Sequence, residues 1–133
     1  MLIHANPAAE ASKEFEAVKP GTYVLRIKEV KDRNSEGKND LEVSMEHTTP
    51  NAELIGLNNE PIKGIPQGLF DYVMLADDKQ WKLRQITEAA GLAWTDYDPV
   101  VDLQGKEVTV VLKNEMYEGQ MKNKVVRYVL PKK

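Results

Sequence analysis

The chain has 133 residues, the size of a single domain, with 18 Lys+Arg against 21 Asp+Glu and 41% hydrophobic residues. That balance excludes a wholly disordered tail and a uniformly basic polyanion binder, and the absence of cysteine excludes disulfides, thiolate nucleophiles and cysteine-ligated zinc or iron–sulfur sites. No stretch approaches the ~20 apolar residues of a membrane span, and the N-terminus lacks a basic start followed by an apolar run, so a soluble cytoplasmic protein is expected. Charge is uneven along the chain. Residues 1–102 carry 11 Lys+Arg and 18 Asp+Glu, a net of −7, whereas residues 103–133 carry 7 and 3, a net of +4. A basic last quarter suits an anionic partner, although lysines at strand ends also serve to keep edges solvated.

Residues 1–18 are rich in Ala, Glu and Lys, with Phe15 and Val18 as the only anchors, and read as a loosely held arm. Pro20-Gly21 punctuates its end. Tyr23, Leu25 and Ile27 share one parity and Arg26 and Lys28 the other, which predicts a first strand over 23–31. The polar loop 34–39, with Gly37 free to take positive φ, joins it to a second strand in which Leu41, Val43 and Met45 alternate with Glu42, Ser44 and Glu46. Prolines 50, 61 and 66 with Gly56 and Gly64 predict a long irregular loop over 48–67. A third strand follows over 68–76. Its faces are ambiguous, since Phe70, Tyr72 and Met74 form one row and Leu69, Val73 and Leu75 the other with Asp71.

Asp77 and Gln80 have the form of a capping box, and good helix formers run to Gly91, which predicts a helix over 79–90 with Leu83, Ile86 and Ala90 on one stripe. Residues 94–102 read as an irregular acidic connection. Val108, Val110 and Leu112 then mark a fourth strand, 114–123 a hairpin connection, and Lys124 to Leu130 a fifth strand. Three strands, one helix and two strands, with antiparallel hairpins at 33–39 and 114–123, match the order of an OB barrel whose helix lies between strands three and four; another five-stranded α+β sandwich is the alternative.

A set of short motifs carries a family resemblance: Pro20-Gly21-Thr22-Tyr23 with Ile27, Ser35-Glu36-Gly37-Lys38 with Leu41, Trp81-Lys82-Leu83 with Ala90-Gly91-Leu92, Leu103-Gln104-Gly105-Lys106-Glu107-Val108, and Glu115-Met116-Tyr117-Glu118-Gly119 with Asn123-Lys124-Val125. In this order they resemble a bacteriophage family known as a domain of unknown function, encoded beside phage replication and recombination genes. Its members are regarded as OB-fold single-stranded DNA-binding proteins. The resemblance spans roughly residues 15–131. The chain departs from the family pattern in its long 48–67 loop and in ending on Lys132-Lys133 where many single-strand binders carry an acidic tail. What the resemblance implies is a mainly β, five-stranded OB-fold domain over 19–133 that binds single-stranded DNA without sequence preference, protecting or organising it in replication and recombination. Phage or host replication proteins are the implied partners, and a homo-oligomer stays open.

Catalytic candidates are poor. His4 lies in the arm, and His47 at the end of the second strand reads as a satisfied structural histidine. Asp96, Asp98, Asp102 and Glu107 imitate a calcium loop but place Val101 where glycine is needed and Val100 where an oxygen ligand is needed. No enzyme activity, metal or cofactor is therefore expected. A nonspecific single-strand binder needs cations along a groove and aromatic planes for bases. Arg26, Lys28, Lys38, Lys113, Lys122, Lys124 and Arg127 would converge between the two hairpins of an OB barrel. Tyr117, at the second hairpin's tip, is the leading stacking candidate, followed by Phe70 and Tyr72, for which core packing is favoured because alternating aromatics commonly face inward; Trp81 and Tyr23 read as core. The competing reading is an interaction module that uses the arm and the 48–67 loop to hold a recombinase or replication enzyme.

Overall fold

The computed structural model describes residues 1–7 and 15–131. The expected arm therefore lies partly outside the described residues, as do Lys132 and Lys133. The strands are β1 (Phe15–Glu16), β2 (Gly21–Asp32), β3 (Asp40–His47), β4 (Ile65–Pro66), β5 (Leu69–Met74), β6 (Glu107–Tyr117) and β7 (Gln120–Val129), with helices α1 (Trp81–Ala89) and α2 (Pro99–Asp102) between β5 and β6. The five long strands form one antiparallel sheet in the order β5-β3-β2-β6-β7, and β1 pairs with β4 in parallel as a separate ribbon. No helix among the described residues is long and apolar enough to cross a membrane.

Period-two alternation builds this sheet. Leu25 and Ile27 of β2, Leu41, Val43 and Met45 of β3, and Val108, Val110 and Leu112 of β6 are buried on one face, where they meet Leu83 and Ile86 of α1. Each fully buried Leu, Ile or Val contributes about 1.5–3 kcal/mol. A bulge between Ile27 and Glu29 leaves Lys28 out of the ladder and resets the parity, so that Val30 is the next residue to turn inward. Gly37 takes φ 76° in the β2–β3 connection, as expected. The β6–β7 hairpin is much tighter than the predicted 114–123 loop: pairing continues to Tyr117↔Gln120, around a two-residue turn in which Glu118 (φ 49°) and Gly119 (φ 79°) both have positive φ.

Helix α1 begins at Trp81, after a 3-10 turn at Asp77–Lys79, rather than at 79. The expected capping box is not made, because the Gln80 side-chain amide donates instead to the Leu75 carbonyl at 2.9 Å. Gly91 ends the helix with φ 83°, and Leu92 N–H bonds to Thr87 O, as in a Schellman motif. The acidic stretch taken as irregular contains α2, for which Asp98 supplies the N-cap by accepting from Val100 N–H at 3.0 Å while Pro99 opens the first turn. That task explains an aspartate that imitates a calcium ligand.

The closed barrel expected from the sequence is not formed, since among the described residues β5 and β7 make no ladder with each other. Side chains bridge this seam. The Gln67 amide donates to Met121 O at 3.3 Å and accepts from Asn123 N–H at 3.1 Å; Gln85 accepts from Tyr128 N–H at 2.9 Å; and the Tyr128 hydroxyl donates to Asp71 Oδ2 at 2.7 Å. Asn123 reaches the other way. It accepts from Val18 N–H at 2.9 Å, donates to Val18 O at 2.8 Å and donates to Asn114 Oδ1 at 2.9 Å. Val18 is fully buried and bridges to Gly56, and the Glu16 carboxylate accepts from the N–H groups of Lys63 and Gly64. Residues 15–18, assigned by sequence to the arm, thus form part of the fold, and they organise the 48–67 loop, whose Leu54 and Ile62 are buried.

Because Asn123 satisfies both backbone groups of buried Val18, Asn123→Ala should strand a donor and an acceptor and lower stability by about 2–4 kcal/mol in urea denaturation. Asn114→Ala, which removes one side-chain partner only, should cost less than about 1.5 kcal/mol.

Candidate nucleic-acid interface

On β5 the buried row is Leu69 and Val73, so Phe70, Tyr72 and Met74 face outward. This corrects the expectation that Phe70 and Tyr72 pack inward. Asp71 shares the inward row because it is paired there: it accepts from Tyr128 on β7 and from Lys82 Nζ at 3.1 Å. Burial and the adjacent carboxylate push the Tyr128 hydroxyl well above its ordinary pKa, which keeps it a proton donor to Asp71. Trp81 is likewise outside the core at 68% exposed, and Tyr23 is half-buried, its hydroxyl donating to Lys19 O at 2.6 Å.

Phe70 and Tyr72 of the outward β5 row form one wall of an open groove of about 1200 Å³. Its other wall is the β6–β7 hairpin at Tyr117 and residues 120–123, and its floor runs past Gln67 and Gly68 to Phe15 and Leu57. Four aromatic rings line it while remaining largely exposed: Phe15 (67%), Phe70 (61%), Tyr117 (58%) and Tyr72 (44%). Large apolar side chains left outside a core in one contiguous patch mark a contact surface. The rings are also held. Lys122 Nζ stands 5.3 Å from the Tyr117 centroid, and the Arg33 guanidinium lies 4.3 Å from the Tyr72 centroid. Arg33 is fixed by two hydrogen bonds to Asp40, at 2.6 and 2.5 Å, which hold the Asp40 carboxyl below its usual range.

A smaller recess of about 330 Å³ opens beside the groove and shares Phe15, Gln67, Gly68 and Phe70 with it. Lys28, released from the ladder by the bulge, lines this recess. Of the expected cations, Lys28 and Lys122 are therefore brought to the aromatic surface. The others are not. Arg26 shares the outer sheet face with Phe70 and Tyr72 and stands 3.9 Å from Glu46 but lines neither space, and Lys38 lies in the 33–39 connection. Lys113 and Lys124 face each other across the β6–β7 ladder, with Glu115 at 3.3 Å from Lys124; they share the hairpin side of Lys122 and Tyr117 but stand farther from the tip, and neither lines the groove; Arg127 is exposed opposite Val111.

Sequence reading missed Phe15, Leu57, Met121 and Arg33 as surface-building residues. Two signals were available: Phe15 is a lone aromatic in a polar segment, and Arg33 and Asp40 bracket the first hairpin with opposite charges. Among the described residues no three His, Asp or Glu side chains gather closely enough to hold a metal ion.

His47 borders the recess, packed edge-on against Tyr23 at 5.4 Å between centroids, with neither ring nitrogen hydrogen-bonded among the described residues. Burial holds its pKa below the ordinary 6.5. The unfolded chain therefore takes up a proton near pH 6.5 that the folded ring resists, so this contribution to stability is complete above pH 6.5 and is lost as pH falls through that value toward the folded pKa. The melting temperature should drop between neutral pH and about pH 5, where carboxylates such as Asp40 are still ionised, and His47→Phe should flatten that drop.

No protein-family model matches the chain, and no curated protein is significantly similar to it.

Proposed function

We propose that this protein is a sequence-tolerant single-stranded DNA-binding protein of OB type that protects or organises DNA in phage replication or recombination within the host cytoplasm. The observation that carries this reading is the gathering of Phe15, Phe70, Tyr72 and Tyr117 along one open groove, all exposed, with Tyr72 and Tyr117 propped by Arg33 and Lys122. Aromatic planes spaced along a groove suit unpaired bases, each worth about 1–3 kcal/mol when stacked, whereas a duplex hides its base faces. The strand order supports an OB-type arrangement, since β5 and β7 are the two strands that would meet if the sheet closed. The phage context rests on the sequence resemblance alone.

The Glu42 and Glu46 side of β3 repels phosphate, so the backbone runs along the hairpin side of the groove at Lys122 and meets the β2–β3 side only where Lys28 offsets Glu46. We read a binding protein rather than an enzyme: the groove and recess offer stacking surface with Lys122 and Lys28, and His47, which lines the recess, packs on Tyr23 with no hydrogen-bond partner among the described residues.

Fluorescence polarisation with labelled oligo-dT should show affinity well above that for duplex DNA of equal length. Phe70→Ala and Tyr117→Ala should each weaken it by about 1–3 kcal/mol with no change in salt dependence, since stacking releases no counterions. Both should leave stability within about 0.5 kcal/mol. The log–log salt slope should be near −1.4 if Lys28 and Lys122 are the cations engaged, at about −0.7 per phosphate, and Lys122→Ala should halve it. Equal binding of duplex would defeat the single-strand reading, and a flat salt response would instead favour a protein-interaction module.

A further inference from the structure

The recess beside the groove has a chemistry that stacking alone does not use. Its walls are the same exposed rings, Phe15 and Phe70, but its lining adds Lys28, Glu46 and Asn51. From these we infer that the recess takes one nucleobase of the bound strand, turned out of the groove, with the adjoining phosphate at Lys28 and the base's hydrogen-bonding edge toward Glu46. At that one position the protein would then prefer a base bearing an exocyclic amino group over thymine. The inference rests on the single-strand reading and adds to it a point of base selection.

Four features carry it. A volume of about 330 Å³ is at the lower bound of small-ligand sites and suits one small planar group rather than a folded ligand. Phe15 and Phe70 line both spaces, so a base leaving the groove keeps an aromatic contact throughout. The β2 bulge removes Lys28 from the ladder and aims it at the recess, a use bulges commonly serve beside binding sites.

The fourth is Glu46. A carboxylate here would repel a phosphate, so the group that enters is the neutral base and the charged backbone stays at the rim with Lys28. Glu46 is loosely engaged, 3.9 Å from Arg26 with its side chain 45% exposed, and keeps acceptor capacity for a ligand. Carboxylates accept from the cytosine N4 amino group, whereas thymine offers a carbonyl oxygen at the equivalent position, which a carboxylate repels. Asn51 reinforces this selection: its amide nitrogen donates to Gly64 O at 3.2 Å, which leaves the oxygen as a second acceptor.

The test compares labelled oligo-dC and oligo-dT of equal length at neutral pH and matched salt. Oligo-dC should bind about five- to tenfold tighter, the order expected for one good carboxylate–amino contact. Glu46→Gln should bring the ratio near one, because an amide can donate to thymine as readily as it accepts from cytosine. Lys28→Ala should weaken both strands equally and shallow the salt slope by about 0.7. Tight, salt-sensitive binding of both strands with equal affinity, or a dC preference that survives Glu46→Gln, would overturn the recess assignment and leave the groove reading standing. Failure of both strands to bind would overturn the groove reading and this inference with it.

Discussion

The architecture turns on side-chain amides that act as peptide groups. β5 and β7 are the two edges of the sheet, and among the described residues no ladder joins them. Gln67 presents a carbonyl and an N–H to Asn123 and Met121 of β7, and Asn123 does the same for Val18. A polar backbone group buried without a partner costs about as much as a lost hydrogen bond, so this seam would be untenable if left bare. A primary amide carries both a donor and an acceptor, which is why Asn and Gln can stand where a strand would. Their short reach fixes the spacing of the elements they join.

The groove follows from that constraint. A laddered seam would draw β7 against β5 and close the space that Phe70, Tyr72 and Tyr117 now share. An unbridged seam would let the β6–β7 hairpin drift, since its pairing with β2 ends at Leu112 and the hairpin projects beyond that point. Asn123 also anchors Val18, and through it Phe15 reaches the groove floor. The Tyr128–Asp71–Lys82 cluster performs the same task at the helix end of the seam, where α1 packs on β5 and β7. The open edges are blunted as well: Asp71 Oδ1 accepts from Tyr72 N–H and Lys82 reaches toward Tyr72 O, while Gln85 takes Tyr128 N–H, so these backbone groups are not offered to another strand.

Where one face of a strand is buried and the other wet, alternation of Leu41, Val43 and Met45 with Glu42, Ser44 and Glu46 was sufficient to place β3, and Gly91 marked the end of α1. The row facing inward on β5 was illegible because Asp71 lies in it; a charge in a core row is tolerated only through Tyr128 and Lys82, which are distant in sequence. Phe70 and Tyr72 looked like core because alternating aromatics commonly face inward. The hairpin was read too short because Lys, Asn and Glu dominate 113–124, and its strand character rests on cross-strand pairing and a positive-φ turn at Glu118-Gly119 rather than on propensity. Convergence of the cations depended on how far along the hairpin each stands from its tip and on the bulge at Lys28, neither of which a residue count shows.

The central claim is that the aromatic groove between β5 and the β6–β7 hairpin is where single-stranded DNA lies. Photo-cross-linking with oligonucleotides carrying 5-iodo-deoxyuridine, followed by mass spectrometry of the adducts, tests it at the level of individual rings. The account predicts adducts on Phe70, Tyr72 and Tyr117, with Phe15 at the groove floor. Adducts on Trp81, the most exposed ring outside the groove, with none on the groove aromatics would contradict it.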